Sequence, residues 1–333
     1  MSNTEENRKV LVTGGSGFVG SHLVDQLVER GAHVRCLVRQ SSNQKYLKDP
    51  RLEFAYGGLN ESTDWDEALA DVDTIYHVAG ATFARRPQDY FAANHQGTEA
   101  ILAEAVKRRD QIKRFVYISS LAAVGPGQNG TPVNEDCSPA PITPYGRSKL
   151  AAEEAVHTVS DIVPATIVRP PAIYGPRDYA IFEFFKTIKN GIYPTIGRYD
   201  KRVSLVHVRD LVEGIILAGE SEASAGRTYF VSSEDDYSMG AVADLIAALM
   251  HKRARTIAIP RAIAYGVALA AEAAATITGK PPILNRDKVT DFSQACWSCS
   301  IDRAKSELGY SPRIDLEEGL RETIAWYKRE GWL

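Results

Sequence analysis

Cysteine is scarce in this 333-residue chain, which has only Cys36, Cys137, Cys296 and Cys299. So few exclude a disulfide framework. Cys296-x-x-Cys299 has no second pair to complete a metal site and does not open a helix after a strand, so the thiols read as inert. The seven histidines are scattered without ligand spacing and read as structural, and no metal is expected. Neither sign of charge dominates. Lys and Arg number 39 against 42 Asp and Glu, a net charge of -3, which offers no global basicity for nucleic acid or an anionic membrane. A membrane span is missing too: the alanine-rich stretch 261–278 is too short and is interrupted by Glu272, although it could border an apolar pocket or touch a membrane surface. The first eight residues are polar, so no signal or transit sequence is expected and the cytoplasm is the expected compartment. What remains is an ordinary globular composition, 44% apolar, at a length that suits about two domains.

The most informative stretch is Val10 to Gly20, VLVTGGSGFVG. A short apolar run suits a buried strand, and it breaks into glycines before an amphipathic segment resumes. Strand, tight turn and helix in that order make a diphosphate cradle. Gly14 and Gly17 allow close backbone approach, Gly20 allows the helix to pack on the strand, and the helix N-terminus at Phe18 and Val19 offers unpaired N–H groups and a positive dipole. The G-x-x-G-x-x-G spacing is a variant of the dinucleotide fingerprint.

From there strands and helices alternate. Strands are expected at 33–38, 52–56, 74–78, 114–119 and 165–169, with helices at 64–70, 94–108 and 145–159. That rhythm gives a parallel sheet covered on both faces, with ligands at the carboxyl ends of the strands. At the end of the second strand, where NAD-binding versions place an acidic residue about 20 positions past the glycines, this chain has Arg39. Arginine cannot accept bonds from ribose hydroxyls but pairs with a 2′-phosphate, which favours NADP(H). The alternative is a solvated arginine beside NAD(H).

Ser119-Ser120 closes the fifth strand, and Tyr145-x-x-x-Lys149 opens the next helix. Residues four apart share a helix face, so phenol and ammonium can enter one cleft. Hydride transfer at a carbinol carbon needs a partner for the hydroxyl proton. Bringing a phenol from ~10 towards 7 takes roughly 4 kcal/mol of differential stabilisation, which a lysine cation and a positive nicotinamide can supply.

These runs, with HVAGAT at 77–82, NHQGT at 94–98, RPPAIYGP at 169–176, HVRDL at 207–211, LGYSPRIDLEEGL at 308–320 and ETIAWY at 322–327, together resemble the extended short-chain dehydrogenase/reductase family. The resemblance runs in order over nearly the whole chain. It implies an α/β fold: a doubly wound Rossmann sheet from 1–170 and 203–231, with a smaller C-terminal α/β substrate domain from 171–202 and 232–333. It implies Tyr145 as general acid/base, Lys149 as ribose ligand and electrostatic partner, and Ser120 as ligand of the substrate oxygen, with Ser119 the alternative. Asn94 would kink its helix or join a proton relay. The cofactor cleft would include Leu59, Val78, Ala79, Gly80, Ser119, Pro170 and Ala172, and the substrate would meet Thr82, Ser120, Tyr145, Arg177 and Phe185. The family often forms homodimers through four-helix interfaces, for which 94–108 and 145–159 are the candidates.

Where the chain departs from the family pattern, the substrate comes into question. Many nucleotide-sugar enzymes of this family carry an asparagine three residues after the strand-end arginine, and an arginine seven residues before the later V-x-D aspartate. Here those positions hold Ala172 and Val203, neither of which can bind a diphosphate, although Arg177, Arg198 or Arg202 could do so from elsewhere. The family's third-strand Gly-Asp pair is Gly57-Gly58 here. With Phe182, Phe185 and Ile188 on one helical face and the 261–278 stretch, the C-terminal half looks like the hydroxysteroid dehydrogenase and hydroxyketone reductase branch. The expected activity is interconversion of a secondary alcohol and a ketone on an apolar, lipid-like small molecule. The alternatives are a nucleotide-sugar epimerase or dehydratase with tightly held NAD, and a non-catalytic nucleotide-binding redox sensor.

Overall fold

The computed structural model describes residues 8–59, 63–197, 201–278 and 285–333. The nucleotide-binding half runs β1 (Lys9–Thr13), α1 (Phe18–Glu29), β2 (His33–Val38), β3 (Glu53–Tyr56), α2 (Trp65–Ala68), β4 (Thr74–His77), α3 (Pro87–Phe91), α4 (Gly97–Lys107), β5 (Arg114–Ile118), α5 (Pro144–Val159) and β6 (Ala165–Arg169). It continues with β7 (Ala172–Tyr174), α6 (Phe182–Lys189), β8 (Ile192–Ile196), β9 (Arg202–His207), α7 (Val208–Glu220), β10 (Thr228–Phe230), β11 (Asp236–Ser238) and α8 (Met239–Leu249). Last come β12 (Arg255–Ile259), α9 (Arg261–Thr278), α10 (Arg286–Phe292), β13 (Cys296–Trp297), α11 (Asp302–Leu308) and α12 (Leu316–Arg329).

Seven parallel strands form the main sheet in the order β10-β6-β5-β4-β1-β2-β3. The order reverses beside β1, so a crevice opens at the carboxyl ends of β1 and β4. Both faces of the sheet are covered because its central strands alternate buried apolar side chains between the two layers. On β1, Val10 and Val12 face Leu23, Leu27, Leu211 and Ile215 of α1 and α7. Leu11 between them faces the opposite layer, with Ile101, Ala105, Ala152 and Val156 of α4 and α5. A side-chain period of two thus feeds two cores from one strand.

A smaller sheet joins β11, β9, β13 and β7, and β8 pairs with β12 in a separate parallel ribbon. The segment 203–231 is therefore divided: α7 and β10 serve the large sheet, whereas β9 belongs to the small one. Its apolar alternation suits either sheet and does not encode a partner. Asp210 of the HVRDL run ties the two parts together, its carboxylate accepting from the backbone N–H groups of Arg313 (3.1 Å) and Ile314 (3.0 Å).

Phe185, expected at the substrate, is fully buried in the C-terminal core, its ring edge-on to Tyr327 at 5.3 Å. Ile188 lies in the same core. An apolar stripe at helical spacing marks a buried face without saying whether a cleft or a core lies against it.

Candidate active site

The turn after β1 is built around two glycines. Gly14 adopts φ +72°, and a Cβ there would lie 2.7 Å from the Ala79 nitrogen. Any side chain at Gly20 would strike the Gly14 carbonyl, so α1 can enter the turn only with glycine at that point. Gly17 is the N-cap of α1 and no side chain caps it, which leaves the first-turn N–H groups at Phe18, Val19 and Gly20 for an anion. The opposite wall is the β4 loop, where the Ala79 N–H donates to Thr13 Oγ1 at 3.2 Å. Val78 and Ala79 of that loop lie against Gly14, with Gly80 next in the chain. Leu59 packs beneath this loop, against Gly97 at the start of α4.

Asn94 lies in a π-helical turn, Ala92–Gln96, between α3 and α4. Its side chain accepts from the Ala81 N–H (2.7 Å) and donates to the Ala81 carbonyl (3.1 Å) and to Ser148 Oγ (2.9 Å). The expected helix irregularity is present, and its result is a clamp: the π turn aims one amide at both the β4 loop and α5. Thr82, just past the clamp, is exposed.

Helix α5 starts where Pro144 takes the first helical position and Thr143 Oγ1 accepts from the Gly146 N–H at 3.1 Å. That start places Tyr145 and Lys149 on one face. Lys149 Nζ donates to the Ile118 carbonyl (2.7 Å) and sits 4.8 Å from the centre of the Tyr117 ring. Burial pulls its pKa down to about 8, while Glu153 pulls the other way. Burial pushes the Tyr145 phenol up to about 12; the nearby Ser120 hydroxyl opposes the shift, whereas Tyr90 and Asp291 add to it. Ser120 also caps the short turn after β5, accepting from the Ala122 N–H at 3.1 Å. Ser119 is buried, and its Oγ has no partner among the described residues.

The chain thus brings together Ser119, Ser120, Tyr145 and Lys149 at one end of the crevice and an uncapped glycine turn at the other. The orphaned Ser119 hydroxyl and the free α1 N–H groups fit an extended dinucleotide. Arg39, exposed at the end of β2, forms no ion pair among the described residues. Pro170 accepts from the Leu121 N–H at 2.8 Å, and Ala172 is exposed beside it.

Arg177 does not join this group. In a left-handed conformation (φ +73°), it pairs with Asp25 of α1 at 2.8 Å and stacks 4.7 Å from the Tyr46 ring centre, so it props the loop after β2. Arg202 pairs with Asp236, and Arg198 lies outside the described residues.

Several residues at the site have no motif to announce them. Tyr90 meets Tyr145 edge-on at 5.9 Å. From the C-terminal part, α10 brings Asp291, one of whose carboxyl oxygens is buried without a partner; burial and Asp287 raise its pKa to about 7. Lys288 of the same helix lies 4.6 Å above the Phe83 ring. One missed feature did leave a signal. Glu153 continues the Tyr145 and Lys149 face at the next i+4 step, and it makes a fully buried two-pronged pair with Arg169 (2.6 and 2.9 Å).

A doubly wound sheet, a glycine turn at its reversal point and a Ser-Tyr-Lys group at the strand ends define an enzyme of the extended short-chain dehydrogenase/reductase type. The chain belongs to the NAD dependent epimerase/dehydratase family, whose model matches residues 10–232. It is similar to a ceramide reductase of Caulobacter vibrioides, with 28% identity over 99% of this chain and 98% of that one. It is also similar to a 3 beta-hydroxysteroid dehydrogenase/Delta 5-->4-isomerase of Mycobacterium tuberculosis, with 28% identity over 98% of this chain and 92% of that one. Its fold matches a UDP-glucuronic acid 4-epimerase from Bacillus cereus solved with NAD, with a TM-score of 0.78, 21% identity, and coverage of 98% of this chain and all of that one.

Proposed function

We propose that this protein is a reductase or dehydrogenase that interconverts a secondary alcohol and a ketone on an apolar, lipid-like substrate, with NADP(H) as the favoured cofactor and NAD(H) as the alternative. The observation that carries the reading is the convergence of Ser120, Tyr145 and Lys149 in a site whose nucleotide-sugar positions hold Ala172 and Val203 and whose approach exposes Phe83 and Phe292. The relatives named for ceramide and hydroxysteroid chemistry support it; the epimerase likeness supports the fold alone.

The nicotinamide, when bound, supplies or accepts the hydride. Ser120 holds the substrate oxygen in line with the phenol. Tyr145 donates its proton to that oxygen during reduction and takes it back during oxidation. A phenol near 12 is a poor base at neutral pH, so activation depends on positive charge close by. Lys149, kept next to the strand end by the Ile118 carbonyl, provides one such charge. Asn94 keeps the β4 loop and α5 in register, which makes it a positioning residue. On this reading the protein acts in the cytoplasm, and α4 with α5 would meet a second copy in a homodimer.

The test is a panel of steroidal and long-chain ketones with NADPH or NADH, followed by loss of the reduced-nicotinamide absorbance. Turnover of an apolar ketone is expected, with NADPH preferred. Arg39→Asp is expected to weaken NADPH binding about ten- to hundred-fold through loss of a charge-assisted contact, with NADH affected far less. Equal losses for both cofactors would remove Arg39 from the 2′-phosphate site. Turnover of a UDP-sugar without added cofactor would replace the whole reading with the epimerase.

A further inference from the structure

The surface of α9 does not match that of a helix facing water. Ala264 and Ala268 point inward and pack with Ile196 of β8 and Val289 of α10. The outward face carries Ile263, Val267 and Leu269, which are 58%, 54% and 50% exposed, with Gly266 and Ala270 beside them. A water-facing helix normally puts charged or polar residues there. The adjoining ribbon continues the pattern, with Ile257 of β12 46% exposed and Ile192 of β8 42% exposed.

Charge is arranged just as unevenly. Between positions 252 and 271 lie Lys252, Arg253, Arg255 and Arg261, with no carboxylate, although the whole chain carries -3. All four are exposed, and none forms an ion pair among the described residues. They occupy the turn and strand that lead into α9 and its first residue. An exposed apolar helical face flanked by unpaired cations is the chemistry that partitions into the headgroup region of an anionic bilayer. A second copy is the weaker fit, because a symmetric contact centred on this face would bring the cationic segments of both chains together.

We infer that the β8–β12–α9 unit is a docking surface for an anionic phospholipid bilayer. The bilayer contact goes beyond the proposed reaction and does not depend on which ketone is reduced. The surface lies one helix away from the site. Val289 of α10 joins the α9 core, while Asp291 of the same helix acts electrostatically on Tyr145. A lipid-like substrate could therefore enter without crossing bulk water.

Flotation of the full chain with phosphatidylcholine vesicles, with or without phosphatidylglycerol, tests this. The protein is expected to float with phosphatidylglycerol-containing vesicles, and to stay behind with phosphatidylcholine alone or in high salt. Arg253→Gln and Arg255→Gln are each expected to lower partitioning about five-fold. The double change Ile263→Asp with Val267→Asp is expected to abolish flotation, with unfolding temperature and nicotinamide binding unchanged because both positions face outward. Absence of flotation with phosphatidylglycerol would overturn the inference, as would a double variant that floats like the parent. So would a parent dimer that the double variant turns into a monomer, since that would assign the face to a second copy. Ketone turnover is read separately, so either proposal can fail without the other.

Discussion

Tyr145→Phe is expected to reduce turnover about 1000-fold, within the range ascribed to a positioned general acid/base. Nicotinamide binding should survive, because the glycine turn, the α1 N–H groups and Lys149 remain in place. The phenylalanine ring keeps the edge contact with Tyr90, so packing changes little. What disappears is the phenol hydroxyl that neighbours Ser120 and is proposed to exchange a proton with the substrate oxygen. Steady-state kinetics and a cofactor titration on the same sample separate the two effects. Loss of cofactor binding in parallel with turnover would show that the variant had damaged the cleft instead of the proton transfer.

The second large effect concerns stability. Glu153 and Arg169 are almost completely buried, and their pair fastens α5 to the end of β6. Glu153→Ala would leave an unpaired guanidinium beside Phe230, over whose ring it sits at 5.6 Å. Removing one partner of such a pair typically costs about 3–5 kcal/mol. A urea midpoint lowered to that extent is the expected result. Replacing both residues by methionine should restore most of the loss, because no buried charge remains uncompensated. Since the same helix carries Tyr145 and Lys149, the single variant should also lose turnover under conditions where it is still folded, and the double variant should regain part of it. A single variant as stable as the parent would mean that the pair is not the fastening described.

Six of the seven strands of the main sheet were legible as short runs rich in apolar residues and bounded by turn residues, whereas the three-residue edge strand β10 is too short to show a pattern; the site was legible where it follows from local geometry. Tyr145 and Lys149 share a face by spacing alone, and Gly14 and Gly20 announce a turn that no other residue fits. Asn94 was half legible: an irregular helix was expected, but the clamp on Ala81 and Ser148 depends on which loops the fold brings beside it. Tyr90 and Asp291 were invisible, since nothing local links position 291 to position 145. Phe185 shows the converse error. Its spacing marks a buried face correctly, and only packing against Tyr327 makes that face core instead of cleft wall. Arg177 likewise reads as a free cation beside the substrate strand until Asp25 and Tyr46 are seen to hold it.

If the site moves hydride between a freely exchanging nicotinamide and a substrate carbon, with Tyr145 managing the proton, a label on the cofactor must reach the product. The most direct measurement uses NADPH deuterated at the transferable position and an apolar ketone turned over by the purified chain, with the product analysed by mass spectrometry. One deuterium is expected on the new carbinol carbon for each NADPH consumed, with no such product from Tyr145→Phe. A protein that keeps its own NAD through purification, incorporates no label and epimerises a UDP-sugar unaided would overturn the hydride transfer proposed for this site.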